Sequence, residues 1–145
     1  VRKEIVKLIE AASVETAAAD DWWKELPTKE KKAYLTAHPG SKYAKGAKPL
    51  TAKGASALAS EHYKLSNKHG SIAEKSFYKG DKASYNVNDK LAILHGRIHN
   101  HYAKAKEALK LGQPATANNH LANAEKAQHR LWKHKLATGL IKPKS

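Results

Sequence analysis

Two apolar stripes separated by one short break most constrain what this chain can fold into. Leu91, Leu94, His95, Ile98, Tyr102, Ala105, Ala108 and Leu109 recur at three- and four-residue spacing. Leu121, Ala124, Ala127, Leu131 and Leu136 then resume the same period, and Gly139 ends it. Between the stripes stands Leu111-Gly112-Gln113-Pro114, a glycine stop with a proline two residues on. A connection this short predicts two long helices paired antiparallel as a hairpin. Asn88 or Asp89 is the expected cap of the first helix, and the second is expected from about Ala115.

The apolar supply decides how such helices pack. Alanine carries much of it, and the chain has one Phe and no Met. A core of Ala, Leu and scattered Tyr and Trp implies closely approaching helices rather than a sheet sandwich. The expected fold is all-α: a small helical domain ending in the long antiparallel hairpin. At 145 residues the chain suits one domain, or a small domain with an extension. Its composition divides it into N-terminal helices over 1–40, a basic loop over 41–54 and a helical region over 55–145, or one domain overall.

Upstream of the hairpin the periodicity predicts a helix over 1–19, with Asp20 and Asp21 in a turn or cap beyond it. A further helix is expected over 55–69, stopped by Gly70. Ser71-Ile72-Ala73-Glu74 has capping-box spacing and should open a short helix through Tyr78. Gly80-Asp81 breaks that helix, and residues 82–87 carry no firm pattern.

The most distinctive stretch is 22–45. Trp22 and Trp23 are adjacent, so a regular element cannot turn both squarely to one core. Either both cover a helix junction, or one meets a partner. Thr28 is the expected N-cap of a short helix with Glu30 in its first turn and Tyr34 on its apolar edge. His38-Pro39-Gly40 stops it, and Ser41-Lys42-Tyr43-Ala44 follows. This run of Trp22-Trp23, Ala33-Tyr34-Leu35 and His38-Pro39-Gly40-Ser41-Lys42 resembles a short segment of tailed-bacteriophage virion and head-assembly proteins. Here Pro27 and Thr28 stand in reversed order, and Gly40 stands where Asn is common in that segment. The resemblance implies a phage origin, with the virion, or the host cytoplasm during assembly, as location. It brings no catalytic group. The chain begins at Val1, which fits maturation cleavage.

Charge supplies the functional argument. Lys and Arg number 27 against 13 acids, a formal +14. The residues through Ile72 hold 13 bases and 8 acids (+5), and those after it hold 14 and 5 (+9). Such an excess repels itself unless a polyanion offsets it, and nucleic acid is the usual counterpart, with an anionic membrane surface as the second candidate. The loop over 41–54 presents Lys42, Lys45, Lys48 and Lys53 with no acid. After Glu125 there is again no acid, while Lys126, Arg130, Lys133 and Lys135 accumulate. Cations near a helix C-terminus are also favoured by the helix dipole. These eight are the candidate phosphate contacts. If about five phosphates were neutralised, log affinity would fall with log salt at a slope of about −4.5. No P-loop, helix-turn-helix, zinc-finger or RNA-recognition signature accompanies them, so binding without base readout is expected.

Other chemistry is thinly represented. Without cysteine there is no thiolate site. His95 and His99, with His101 nearby, have the spacing of two metal ligands, but HExxH is absent and no metal or other cofactor is expected. Glu61 beside His62, or Glu107 and Glu125 across the hairpin, could form acid–base pairs, but such acids are more simply intrahelical partners, Glu107 of Lys104 or Lys110 and Glu125 of His129. No nucleophile motif is present and the chain is not expected to be an enzyme. No apolar run approaches transmembrane length, so no membrane partner is expected. The leading expectation is a non-enzymatic phage protein contacting DNA non-specifically. The alternatives are a structural module docking on other phage proteins or on itself through Trp22, Trp23 and Tyr34, and a host-directed inhibitor.

Overall fold

The computed structural model describes residues 18–143, and most of the helix expected over 1–19 therefore lies outside the described residues. Five helices follow: α1 (Asp21–Lys24), α2 (Thr28–Ala37), α3 (Ala52–Lys79), α4 (Lys82–Lys110) and α5 (Pro114–Ala137). There is no strand among the described residues. The fold is all-α and ends in the antiparallel hairpin of α4 and α5.

The central helix is α4, packed against α3 on one side and α5 on the other. Cross-helix pairs fix both registers. Along α3, Ala59, His62, Ser66 and His69 meet His99, His95, Ala92 and Asn88 in that order, so the helices run oppositely. Between α4 and α5, His134 lies against Val87 and His101 against His120, again in opposite order. The shared core holds Leu91, Leu94, Ile98 and Tyr102 from α4, Ala124, Ala127 and Leu131 from α5, and Ala59 from α3. The alanines at these contacts let backbones approach closely, as the composition implies.

Two boundaries differ from the sequence expectation. The helices expected over 55–69 and 71–78 are one, and α3 runs straight through Gly70. A mid-helix glycine costs about 1 kcal/mol relative to alanine. Continuing the helix keeps its hydrogen-bond ladder and buries Ala73 and Ser76, which outweighs that cost. Ser71 therefore caps nothing, and the N-cap is Thr51, whose hydroxyl accepts the Gly54 N–H at 3.0 Å. The second difference is the start of α4. It begins at Lys82 behind Asp81, whose carboxylate accepts the Ser84 N–H at 3.1 Å, rather than at Asn88 or Asp89. Asn88 instead turns its side chain to the Ser84 carbonyl and to His69. Gly80 supplies the left-handed φ of +75° that ends α3, so a two-residue turn is enough to reverse the chain.

Smaller details follow the same logic. Pro27, not Thr28, is the N-cap of α2, and Thr28 is its first residue. Pro114 opens α5, where its missing N–H costs no hydrogen bond.

Candidate nucleic-acid interface

The stretch 20–43 is clamped onto α5. Its anchor is Glu125, which is only 5% exposed. One carboxylate oxygen accepts the Tyr34 hydroxyl at 2.6 Å. The other accepts the Ser41 hydroxyl at 2.6 Å and the Lys42 backbone N–H at 2.8 Å. A buried carboxylate is tolerated only when its lone pairs are satisfied, and three donors do so here. Burial first, and then the Glu125 charge, push the Tyr34 phenol far above its ordinary range, so it stays a donor. Glu125 is thus not the intrahelical partner of His129 expected from its spacing. The acceptor of His129 Nε2 is Glu30, at 3.3 Å. Burial holds the His129 imidazole below its usual pKa, against the opposing pull of the Glu30 carboxylate.

Around this anchor the aromatic residues of 22–45 close on one another. The Trp23 and Tyr43 rings stack at 4.6 Å, and Trp22 packs edge-on against Trp23, Tyr34 and Tyr43. Tyr34 stacks on His38 at 4.2 Å and meets Trp132 of α5 edge-on. Of the expected docking residues, Tyr34 is fully buried within the chain itself, Trp22 packs on His129 of α5, and Trp23 packs on Tyr34 and Tyr43. A partner could reach only the half-buried edges of the two tryptophans.

The eight candidate phosphate contacts separate into distinct groups. Lys42 is turned inward, its ammonium held by Asp20 at 3.2 Å and Asn118 at 2.5 Å. Burial raises the Asp20 carboxyl, but the Tyr43 hydroxyl and the Lys42 charge outweigh it and hold the acid below its usual range. Lys133 pairs with Glu30 at 2.9 Å, and that contact depresses the Glu30 carboxyl. Lys45, Lys48, Lys53 and Arg130 are exposed, and Lys126 is half-buried. Lys135 lines a cleft.

That cleft, of about 780 Å³, lies between α2, α3, α5 and residues 141–143. Lys29 and Lys32 of α2, Lys135 of α5 and Lys142 beyond it come together around it, with Glu61 as the one carboxylate. Leu65, Leu131, Trp132 and Ile141 supply apolar lining. Two regions far apart in sequence, α2 and the C-terminal end of the chain, therefore deliver four cations to one opening. Nothing in the sequence distinguishes Lys29 and Lys32, because on α2 they look like ordinary solvated lysines.

The histidines are structural in geometry. His62 and His95 bring their Nδ1 atoms to 2.8 Å, one donating and one accepting, and His99 Nδ1 turns away to the Ala59 carbonyl. Burial, reinforced by the neighbouring imidazole of His62, pushes His95 down to about 3. No group of three or more His, Asp or Glu among the described residues could hold a metal ion. No helix among the described residues is long and apolar enough to cross a membrane. Comparison with protein-family models, with curated proteins and with solved structures gave no match.

Proposed function

We propose that this chain is a non-enzymatic protein of a tailed-bacteriophage particle, associated with the virion or with head assembly, that contacts DNA through phosphates without reading bases. The observation carrying the DNA part is the fate of its cations. Only Lys42, Lys106 and Lys133 pair with carboxylates among the described residues. Asp20 and Glu30 are each matched by a lysine and Glu125 is buried, so the cationic excess lies on the exposed surface. Lys29, Lys32, Lys135 and Lys142 then gather at one cleft. Fixed cations on a rigid bundle favour phosphate over a base edge, which needs planar, bidentate donors. The phage part rests on the resemblance of 22–45, and with it the expected location in the virion or in host cytoplasm during assembly.

The test is binding to duplex DNA of two unrelated sequences across a salt series. Affinity should be the same for both and fall steeply and linearly with log salt. A flat response, or a marked preference for one sequence, would overturn the reading.

A further inference from the structure

We infer that the turn joining α3 to α4 is a stacking platform for single-stranded nucleic acid, built from Phe77, Tyr78 and Tyr85 and flanked by Lys75, Lys79 and Lys82. The single Phe of the chain is 64% exposed and Tyr78 is 78% exposed. Phe77 meets Tyr78 at 5.6 Å and Tyr85 at 5.7 Å, at interplanar angles of 78° and 55°. The rings meet edge-on or tilted rather than face to face, so they do not stack on one another.

The platform is held rigidly. The Gly80 N–H donates to the Phe77 carbonyl and the Asp81 N–H to the Ser76 carbonyl, closing the end of α3. Asp81 caps α4, and the Ser76 and Ser84 hydroxyls bond at 2.7 Å across the two helices. An exposed aromatic on a stiff turn loses little freedom when a ligand covers it. Lys75, Lys79 and Lys82 are all exposed around it. The Asp81 carboxylate is occupied by its cap, and Glu74 lies one turn back on α3.

Aromatic faces ringed by lysines match what unpaired bases and their phosphates require, since every base has a face and every linkage a charge. A duplex keeps its bases stacked inside and offers these rings nothing. A lipid surface shares the anionic charge, but two of the three rings carry hydroxyls, and the turn has no Leu, Ile or Trp to insert. The platform rests on the nucleic-acid reading and extends it to a second site, one that depends on rings where the cleft lysines depend on charge alone.

The experiment compares the intact chain with Phe77→Ala/Tyr78→Ala, with Lys75→Gln/Lys79→Gln/Lys82→Gln and with the cleft variant Lys29→Gln/Lys32→Gln/Lys135→Gln/Lys142→Gln, using a dT oligonucleotide, a duplex of equal length, and phosphatidylglycerol vesicles. Both ring positions are exposed, and helical circular dichroism confirms that the fold is kept. The ring variant should bind the oligonucleotide at least about tenfold more weakly with its salt slope unchanged, and bind the duplex as before. The lysine variant should lose about two units of salt slope on the oligonucleotide. Unchanged oligonucleotide binding by the ring variant would overturn the inference, as would equal losses on duplex and single strand. Ring-dependent binding to vesicles with indifference to the oligonucleotide would overturn it in favour of a lipid surface. Duplex binding that is indifferent to removal of the cleft lysines, with ring-dependent oligonucleotide binding retained, would sink the cleft while supporting the platform.

Discussion

The Glu125 carboxylate of α5 accepts the Tyr34 hydroxyl of α2 at 2.6 Å, both groups buried and 91 positions apart in the chain. That contact, with those of Ser41 and Lys42, fastens the distinctive stretch 22–45 to the bundle. Its His-Pro-Gly-Ser-Lys run is therefore a latch: Pro39 and Gly40 turn the chain, and Ser41 and Lys42 deliver two donors to one oxygen.

Tyr34→Phe removes one donor and should lower stability by about 2 kcal/mol, the scale of a hydrogen bond to a charged group. Glu125→Gln removes the charge that all three donors face and should cost more, about 3 kcal/mol. The double variant should fall short of the sum, because both changes act on the same hydrogen bond. Urea denaturation of the four proteins gives the coupling directly. Strict additivity would mean that the bond does not hold the latch.

Gly70→Ala should stabilise the protein by about 1 kcal/mol, since alanine is the better helix former. The added Cβ meets nothing closer than Ala92 Cβ at 3.9 Å, an ordinary contact. A raised thermal midpoint checks it. A lowered one would point to a helix that ends at Gly70.

Stability should fall as pH drops from about 6.5. Burial lowers the folded pKa of His95 to about 3 and lowers those of His38, His62, His101, His120 and His129. A histidine depressed in the folded state is neutral in both states above about 6.5. Below that the unfolded chain takes protons first, so stability declines until the folded pKa is reached. Each such proton contributes a slope of at most about 1.4 kcal/mol per pH unit. His95→Gln should remove up to about one proton from that slope between about pH 6 and 4, read by urea denaturation at each pH. An unchanged slope would show that His95 is not held neutral by burial. Asp20 and Glu30, both depressed, add their own destabilisation only as pH falls below the ordinary carboxylate range.

Replacing Lys29, Lys32, Lys135 and Lys142 together with glutamine should reduce the salt slope of duplex binding by about 3 to 4, near 0.9 for each phosphate no longer neutralised. Lys42→Gln should leave the slope unchanged, because its ammonium is already held by Asp20 and Asn118. It should instead weaken the latch, visible as a lower thermal midpoint. An equal effect of both changes on the slope would remove the special standing of the cleft.

The all-α class and the C-terminal hairpin were legible because both rest on local rules. The stripes from Leu91 and Leu121 carry the helical period, and Gly80, Gly112 and Gly139 adopt the positive φ that ends α3, α4 and α5. Local rules misled where two of them competed. Gly70 and Ser71-x-x-Glu74 are valid stop and start signals, yet burial of Ala73 and Ser76 against α4 outweighed them.

The cationic excess belongs to the sequence alone, for it is a sum over residues that no folding changes. Which cations remain available was decided only by tertiary structure. Lys42 and Lys133 are engaged by Asp20 and Glu30, while Lys29 and Lys135 come from different helices to one cleft. Spacing within a helix constrains partners three or four residues apart, and Glu125 with His129 satisfies that rule. The fold instead placed Tyr34 and Ser41 over Glu125, and a buried carboxylate takes the donors that surround it, however distant in sequence.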